Sequence, residues 1–376
     1  MRLAAVRRKL ERVDRALEKA MGRGELPGAV VHACRGDALQ YEGVFGSACL
    51  SPERHETRLN TVYDLASLTK VMATTPALLL LVLDGKLSLD QPVVEVLPAF
   101  AEREKSEITV RHLLTHSSGL RPWRAYYEDL LERERRRGGK LLATEAGRDA
   151  IVSRILRSAP VHDPGEASVY GDLGFIVLGE MVAEAAGEPL DSYCARRIYE
   201  PLGLENTRFN PVPFRGERAR YAATEQCPWR EKVLWGEVHD SNAWAMGGVA
   251  GHAGLFSTAS DVMRFAAEML VAERGESSIF PQKLAQEFFR RQEIPEGSDW
   301  ALGWDTPTPG RSTSGSHFTR RSIGHTGFTG TSLWIDLESG TITVMLSNRV
   351  HLVAKRSRFE LRPRVHDLIW EAFDAA

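Results

Sequence analysis

Two hairpin-like stretches, one near each end of the chain, constrain its fold more than anything between them. Ala29 to Cys34 and Leu39 to Phe45 are short strand-like runs joined by Arg35-Gly36-Asp37, which carries the glycine a tight turn wants. Thr331 to Asp336 and Thr341 to Leu346 repeat the pattern around Glu338-Ser339-Gly340. Pro363 then opens a helix with Val365, Leu368, Ile369, Ala372 and Phe373 on one face. Ahead of the first hairpin, Leu3, Val6, Leu10, Val13, Leu17 and Met21 recur at helix spacing. Both ends therefore predict parts of one helix-covered antiparallel sheet. Between them helical patterns dominate, including Ile176 to Ala186 and Ala259 to Ala272, which predicts an inserted helical lobe. The expected fold class is α/β in the α+β sense, as a single domain. Its sheet lobe is expected at about 1–65 and 301–376 and its helical lobe at about 66–300, two lobes that a chain of 376 residues can interleave around one core.

Charge excludes some partners. With 48 basic and 50 acidic residues the chain has no large field of one sign, so neither nucleic acid nor an anionic membrane surface is expected. A small, roughly neutral substrate fits better. Glu128 to Arg137 is dense in alternating charges and reads as a solvated helix face. Cys34, Cys49, Cys194 and Cys227 show no paired spacing, which argues for free thiols in a reducing compartment. The basic start (Arg2, Arg7, Arg8, Lys9) has helix periodicity rather than the apolar block of a signal peptide. The longest apolar run, Ala77 to Leu83, is far below the roughly 20 residues that cross a bilayer. A soluble, cytoplasmic protein is expected.

Three short motifs carry chemistry. In Ser67-Leu68-Thr69-Lys70, placed before the apolar run Val71 to Leu83, a helix should start at Ser67. Residues three apart share a helix face, so Lys70 can reach the Ser67 hydroxyl, which is unreactive without such help. Tyr170-Gly171-Asp172 follows Pro164-Gly165 and precedes a helix-like run, which puts it on a loop. A tyrosine beside a lysine can relay a proton from the serine to a leaving group. His325-Thr326-Gly327 leads through Phe328-Thr329-Gly330 into the strand at Thr331. Gly327 is expected to let a substrate approach the strand edge, where backbone N–H groups can stabilise an oxyanion.

Taken in this order, the three motifs resemble those of the serine β-lactamase and penicillin-binding-protein superfamily. Tyr63-Asp64-Leu65-Ala66, the run Ile108 to Leu120 and Gly251-His252-Ala253-Gly254-Leu255-Phe256-Ser257-Thr258 strengthen the likeness. It is greatest to the branch holding class C β-lactamases, D-alanyl carboxypeptidases and β-lactamase-like esterases, and it covers about residues 25 to 350. The resemblance implies a five-stranded antiparallel sheet flanked by helices, a helical lobe, and an active site in the cleft between them. It implies Ser67 as nucleophile, Lys70 as neighbouring base or proton acceptor, and Tyr170 as relay. The backbone N–H groups of Ser67 and Phe328 would form the oxyanion hole, and Asp172, His325, Thr326 and Gly327 would contact substrate. No metal and no cofactor is implied.

Two positions depart from the commonest family pattern. Asp172 stands where many members have Asn, and an ionised Asp only accepts hydrogen bonds where Asn also donates. His325 stands where carboxylate-reading members mostly have Lys, and a neutral histidine grips an anion less firmly. Arg320 and Arg321 are candidates to compensate. These departures point to an esterase on small carboxylic esters. A β-lactamase or D-Ala-D-Ala carboxypeptidase or amidase is the alternative, and a non-catalytic sensor module a second one. Elsewhere, His239-Asp240 with Asn242 reads as loop-shaping, and His112 and His116 as structural. Trp123, Trp235 and Trp244 are candidates to wall an acyl pocket, and Pro76 should bend the helix begun by Ser67.

Overall fold

A computed structural model describes residues 2–36, 38–103, 105–210, 214–351 and 359–376, so Asp37 of the first predicted turn lies outside the described residues. The main sheet has β1 (Gly28–Arg35), β2 (Leu39–Cys49), β3 (His55–Glu56), β4 (Ser322–Thr326), β5 (Ser332–Asp336) and β6 (Thr341–Ser347). Its order is β3-β2-β1-β6-β5-β4 and every neighbouring pair is antiparallel. Five strands match the expected five, and β3 adds two residues at one edge. β1 pairs with β6 from Ala29–Ser347 to Arg35–Thr341, which joins the two ends of the chain in one sheet.

Successive side chains of a strand face opposite ways, and β1 is buried on both. Ala29, Val31 and Ala33 pack beneath the terminal helices α1 (Arg2–Gly22) and α6 (Leu361–Phe373), where they meet Val13, Leu17, Val365 and Ile369. Val30 faces the main core. There the sheet is covered by α5 (Ala259–Arg274), which buries Val262, Phe265, Ala266 and Met269. Pro363 is the third residue of α6, not the first, and is tolerated because a first-turn N–H has no partner within the helix.

The segment between the hairpins is largely helical. α2 (Thr75–Leu83) and α4 (Leu173–Ala186) are apolar almost all round and lie inside it, as such helices must. α3 (Tyr126–Arg137) buries only Tyr126 and Leu130 and turns its charges to solvent. Two small sheets escape the sequence reading: Tyr63–Asp64 with Leu255–Ser257 and Arg208–Phe209, and Ala223–Cys227 with Lys232–Trp235. The strands of the first sheet have two or three residues, too short to show a period.

The helix expected from Ser67 begins one residue later, and Lys70–Thr74 forms a single π turn before α2. Pro76 accounts for that turn. It has no N–H for the Met72 carbonyl, and in a regular helix its ring would strike that oxygen. The wider turn, with Thr75 N–H donating to the Lys70 carbonyl, absorbs the misfit.

Candidate active site

Ser67 sits in a tight turn at the end of the two-residue strand Tyr63–Asp64. The residue before it, Ala66, is held at φ +48°, a conformation that side chains other than glycine adopt only when their surroundings impose it. Those surroundings are visible. Ala66 N–H donates to Asp64 Oδ1 at 2.8 Å, Leu65 N–H donates to the Leu255 carbonyl at 2.9 Å, and Thr69 Oγ1 donates to the Ala66 carbonyl at 2.7 Å. Asp64 also accepts the His239 N–H at 2.6 Å, and its burial pushes the carboxyl up against those donors. Sequence reasoning quoted Asp64 only as context, because its role depends on a carboxylate folding back onto the next turn.

Lys70 reaches Ser67 and Tyr170, as expected, and Asp172 besides. Its Nζ lies 3.1 Å from Ser67 Oγ, 2.8 Å from Tyr170 OH and 2.7 Å from Asp172 Oδ1, and none of its side chain is exposed. Burial alone would drive the ammonium toward its neutral form, but Asp172 and then Tyr170 outweigh it, so the pKa is raised above the ordinary lysine value. Tyr170 also moves up: burial raises the phenol by more than Lys70 lowers it. The residue exposes 41 % of its surface, yet its hydroxyl end points into this cluster. The resting site is thus a cationic lysine beside a protonated tyrosine.

The loop carrying Tyr170 is tied to the turn after helix Val110–Leu114. Val169 N–H donates to the His116 carbonyl at 2.9 Å, Gly171 N–H to His116 Nδ1 at 3.3 Å, and Asp172 N–H to the Pro122 carbonyl at 2.7 Å. The His116 ring packs 4.8 Å from Tyr170 and 4.5 Å from Trp300. His116 therefore fixes Tyr170, a role that its spacing from His112 did not reveal; His112 instead closes a capping box with Thr109.

On the facing wall, His325 is the last but one residue of β4 and is 97 % buried. Its Nδ1 lies 2.9 Å from the Thr326 carbonyl, so that nitrogen carries the proton, while Nε2 is buried without a partner. Burial, then the Lys70 charge, pushes its pKa down to about 3. Gly327 does something other than expected. A Cβ there would lie 2.1 Å from Thr331 Oγ1 and 2.4 Å from the Leu65 carbonyl. The missing side chain makes room for the nucleophile's own turn rather than for substrate. Thr329 and Thr331 complete that seam, donating to the Asp64 and Leu65 carbonyls at 2.7 and 3.0 Å.

Ser67, Tyr170, Asp172, His325, Thr326, Gly327 and Phe328 all line one cleft of about 1090 Å³, with Lys70 buried beneath it. Of the tryptophans expected there only Trp123 lines it; Trp235 is buried with Nε1 donating to the Tyr221 carbonyl, and Trp244 packs against Trp229. Trp229 and Trp300 take their places. Arg320 and Arg321 are not among the lining residues: Arg321 pairs with Glu273, and the guanidiniums on the cleft wall are Arg349 and Arg362. Arg362 donates to the Gly327 carbonyl from α6, a contact between residues 35 apart in sequence. Asp240 accepts the Ala243 N–H and Asn242 accepts the Tyr127 N–H, in keeping with the loop-shaping reading. Asp172, Asp240 and His252 bring ligand atoms within 4.8 Å of one another, the one such group among the described residues. Protein charges already serve it, since Asp172 holds Lys70 and Asp240 lies 2.9 Å from His252 Nε2.

Residues 13–365 match the family model described as Beta-lactamase. The chain is 34% identical over 378 residues to the N-acetylmuramyl-L-alanine amidase of Bacillus subtilis (strain 168), covering 92% of this chain and 82% of that one. It is 33% identical over 340 residues to an Escherichia coli (strain K12) protein with the name "Putative D-alanyl-D-alanine carboxypeptidase", covering 84% and 74%. In structure it is similar to EstCE1, a hydrolase with promiscuous acyltransferase activity, at a TM-score of 0.75 and 20% identity over 98% of this chain and 100% of that one. It is also similar to simvastatin synthase from Aspergillus terreus, at 0.69 and 21% over 98% and 97%. At such identities these structures speak for the fold alone.

Proposed function

The chain belongs to the β-lactamase family and is a serine hydrolase of that family, and from this premise we propose that it cleaves amide bonds through an acyl-enzyme on Ser67. The substrate class proposed is a bulky amide of the N-acetylmuramyl-L-alanine kind.

One observation carries the choice of amide: Tyr170 keeps its proton beside Lys70. An alkoxide or phenoxide leaves an ester without much help, whereas an amine leaves only once its nitrogen is protonated, so an acid aimed at the leaving group matters most for amides. In the proposed step Ser67 Oγ bonds to the substrate carbonyl carbon as its proton passes to the Tyr170 oxygen and, in the same concerted transfer, the Tyr170 proton passes to the departing nitrogen, whose bond to carbon breaks, so the phenol never holds two protons. Tyr170 ends as it began, and the Lys70 ammonium steadies the negative charge that crosses between the two oxygens. The N–H groups of Ser67 and Phe328 are the proposed donors to the carbonyl oxygen. Water then repeats the sequence against the ester on Ser67.

Two further features support a large substrate. The cleft, at about 1090 Å³, exceeds what a short ester fills, and Trp123, Tyr127, Trp229 and Phe328 give it aromatic surface. The amidase relative matches nearly the whole chain. His325 supports a second reading, the small-ester hydrolase, because a neutral wall beside the scissile bond does not select for a carboxylate. The four cysteines, three of them buried, form no disulfide, which supports a reducing compartment, and no helix among the described residues is long and apolar enough to cross a membrane.

The test offers purified protein a muramyl dipeptide, p-nitrophenyl butyrate and a chromogenic cephalosporin, with Ser67→Ala as control. Release of the alanyl peptide by the parent alone is expected. Turnover of the butyrate with none of the muramyl amide would establish the second reading instead.

A further inference from the structure

The catalytic scheme leaves several titratable groups of the cleft unused, Asp305 among them. Asp305 lies on the wall with Trp300, Ser312, Thr313 and His325. Its backbone is pinned to the free edge of β4: Asp305 N–H donates to the Gly324 carbonyl and Gly324 N–H donates back, both at 2.9 Å. Asp305 therefore stands opposite the residue just before His325. Trp300 links this place to the proton relay, because its ring stacks on Tyr170 at 5.6 Å with 15° between planes and lies 5.9 Å from His325.

The carboxylate is poorly served by the protein. Among the described residues no lysine or arginine forms an ion pair with it. The nearest charges that bear on it are Asp299 and Arg291, and these satisfy each other at 2.8 Å. Asp299 also accepts from Thr308 Oγ1 at 2.6 Å. Burial pushes Asp305 up to about 7, with the Thr306 N–H as the main opposing influence. Elsewhere on the lining of the cleft, the Thr313 hydroxyl is buried with no partner. Asp305 is only half-buried, but a carboxylate in a cleft wall without a counter-charge is still unfavourable, and such a group is often completed by a ligand.

We infer that Asp305, on the cleft that Trp300 and Thr313 also line, forms a leaving-group subsite for a protonated amine. The amine freed from the scissile bond would carry a second, cationic amino group, as a peptide with a diamino-acid residue does. That ammonium pairs with Asp305 and lies against the Trp300 ring, the two interactions that compensate a cation taken out of water. The inference deepens the amidase reading and rests on it for which half of the substrate departs.

The sign of the pH dependence follows. Below about pH 7 Asp305 is protonated and the pair is lost; above it the pair forms. Of the other groups at this end, His325 stays neutral because its pKa is about 3, Arg362 stays cationic because its own is about 9, and Asp299 and Arg291 remain paired.

Calorimetric titration of the full chain with the free amines alanyl-lysine amide and alanyl-norleucine amide tests this without any turnover. The two differ only in the side-chain ammonium. At pH 8 the lysine compound is expected to bind at least tenfold more tightly, and the preference should vanish at pH 5.5 and in Asp305→Asn. Equal affinities at pH 8, absence of binding by both, or a preference that survives in a folded Asp305→Asn would overturn the inference. If that variant does not fold, the parent's own pH dependence decides. A lysine preference without cleavage of any muramyl amide would keep this subsite and reject the proposed substrate.

Discussion

At the scale of single residues the site is a problem of charge. Lys70 is buried and would shed its proton, yet Asp172 at 2.7 Å and Tyr170 at 2.8 Å hold it cationic. Replacing Asp172 by Asn removes the larger of the two opposing influences at nearly constant shape. Burial then prevails and the Lys70 pKa falls. The alkaline limb of the kcat/KM profile should move to lower pH by about one unit, equivalent to roughly 1.4 kcal/mol of lost interaction. A variant profile that overlays the parent's, with the protein folded, would show that Asp172 does not set the Lys70 charge. Ser67→Ala removes only the attacking oxygen. It should abolish turnover and labelling by a fluorophosphonate probe while leaving the circular dichroism spectrum unchanged. Labelling of another serine in that variant would move the nucleophile elsewhere.

At the scale of elements the decisive contact is the seam between the β4–β5 turn and the turn that bears Ser67. Gly327, Thr329 and Thr331 hold the carbonyls of Asp64 and Leu65, and Arg362 fastens the same turn from α6. In Gly327→Ala the new methyl would stand 2.4 Å from the Leu65 carbonyl, which is backbone and cannot swing aside. The two turns must part, carrying Ser67 away from the Phe328 N–H. Loss of one oxyanion donor alone costs about 10²–10³ in kcat, so a fall of at least a hundredfold is expected, with an unfolding temperature lower than the parent's. Wild-type kinetics in this variant would mean that the seam does not position the nucleophile. The π turn at Lys70–Thr74 belongs to this scale too, because a proline six residues beyond Lys70 sets the pitch of the helix that presents it.

At the scale of the whole molecule, α1 and α6 close a second core over the outer face of the sheet. Val6, Val13 and Leu17 are buried there, at about 1.5–3 kcal/mol each as an upper bound, a sum comparable with the roughly 5–15 kcal/mol that keeps a whole domain folded. Removing residues 1–22 should therefore yield aggregated or unfolded protein in a thermal-shift assay, and a truncated chain melting with the parent's transition would show α1 to be dispensable. The sequence by itself determined the two terminal helices, those at 176–186 and 259–272, the two hairpins and the three motifs, since each is written in local periodicity or in residues a few positions apart. Only the tertiary structure decided what crosses long stretches of chain: His116 under Tyr170, Asp64 and Gly327 around the nucleophile, Trp300 in place of Trp235, Arg362 reaching Gly327 from the last helix. It also decided the sign for Tyr170, where burial overrides a neighbouring lysine. The reason is physical: periodicity records which face of an element is buried, whereas a pKa or a close approach depends on which distant groups that face comes to meet.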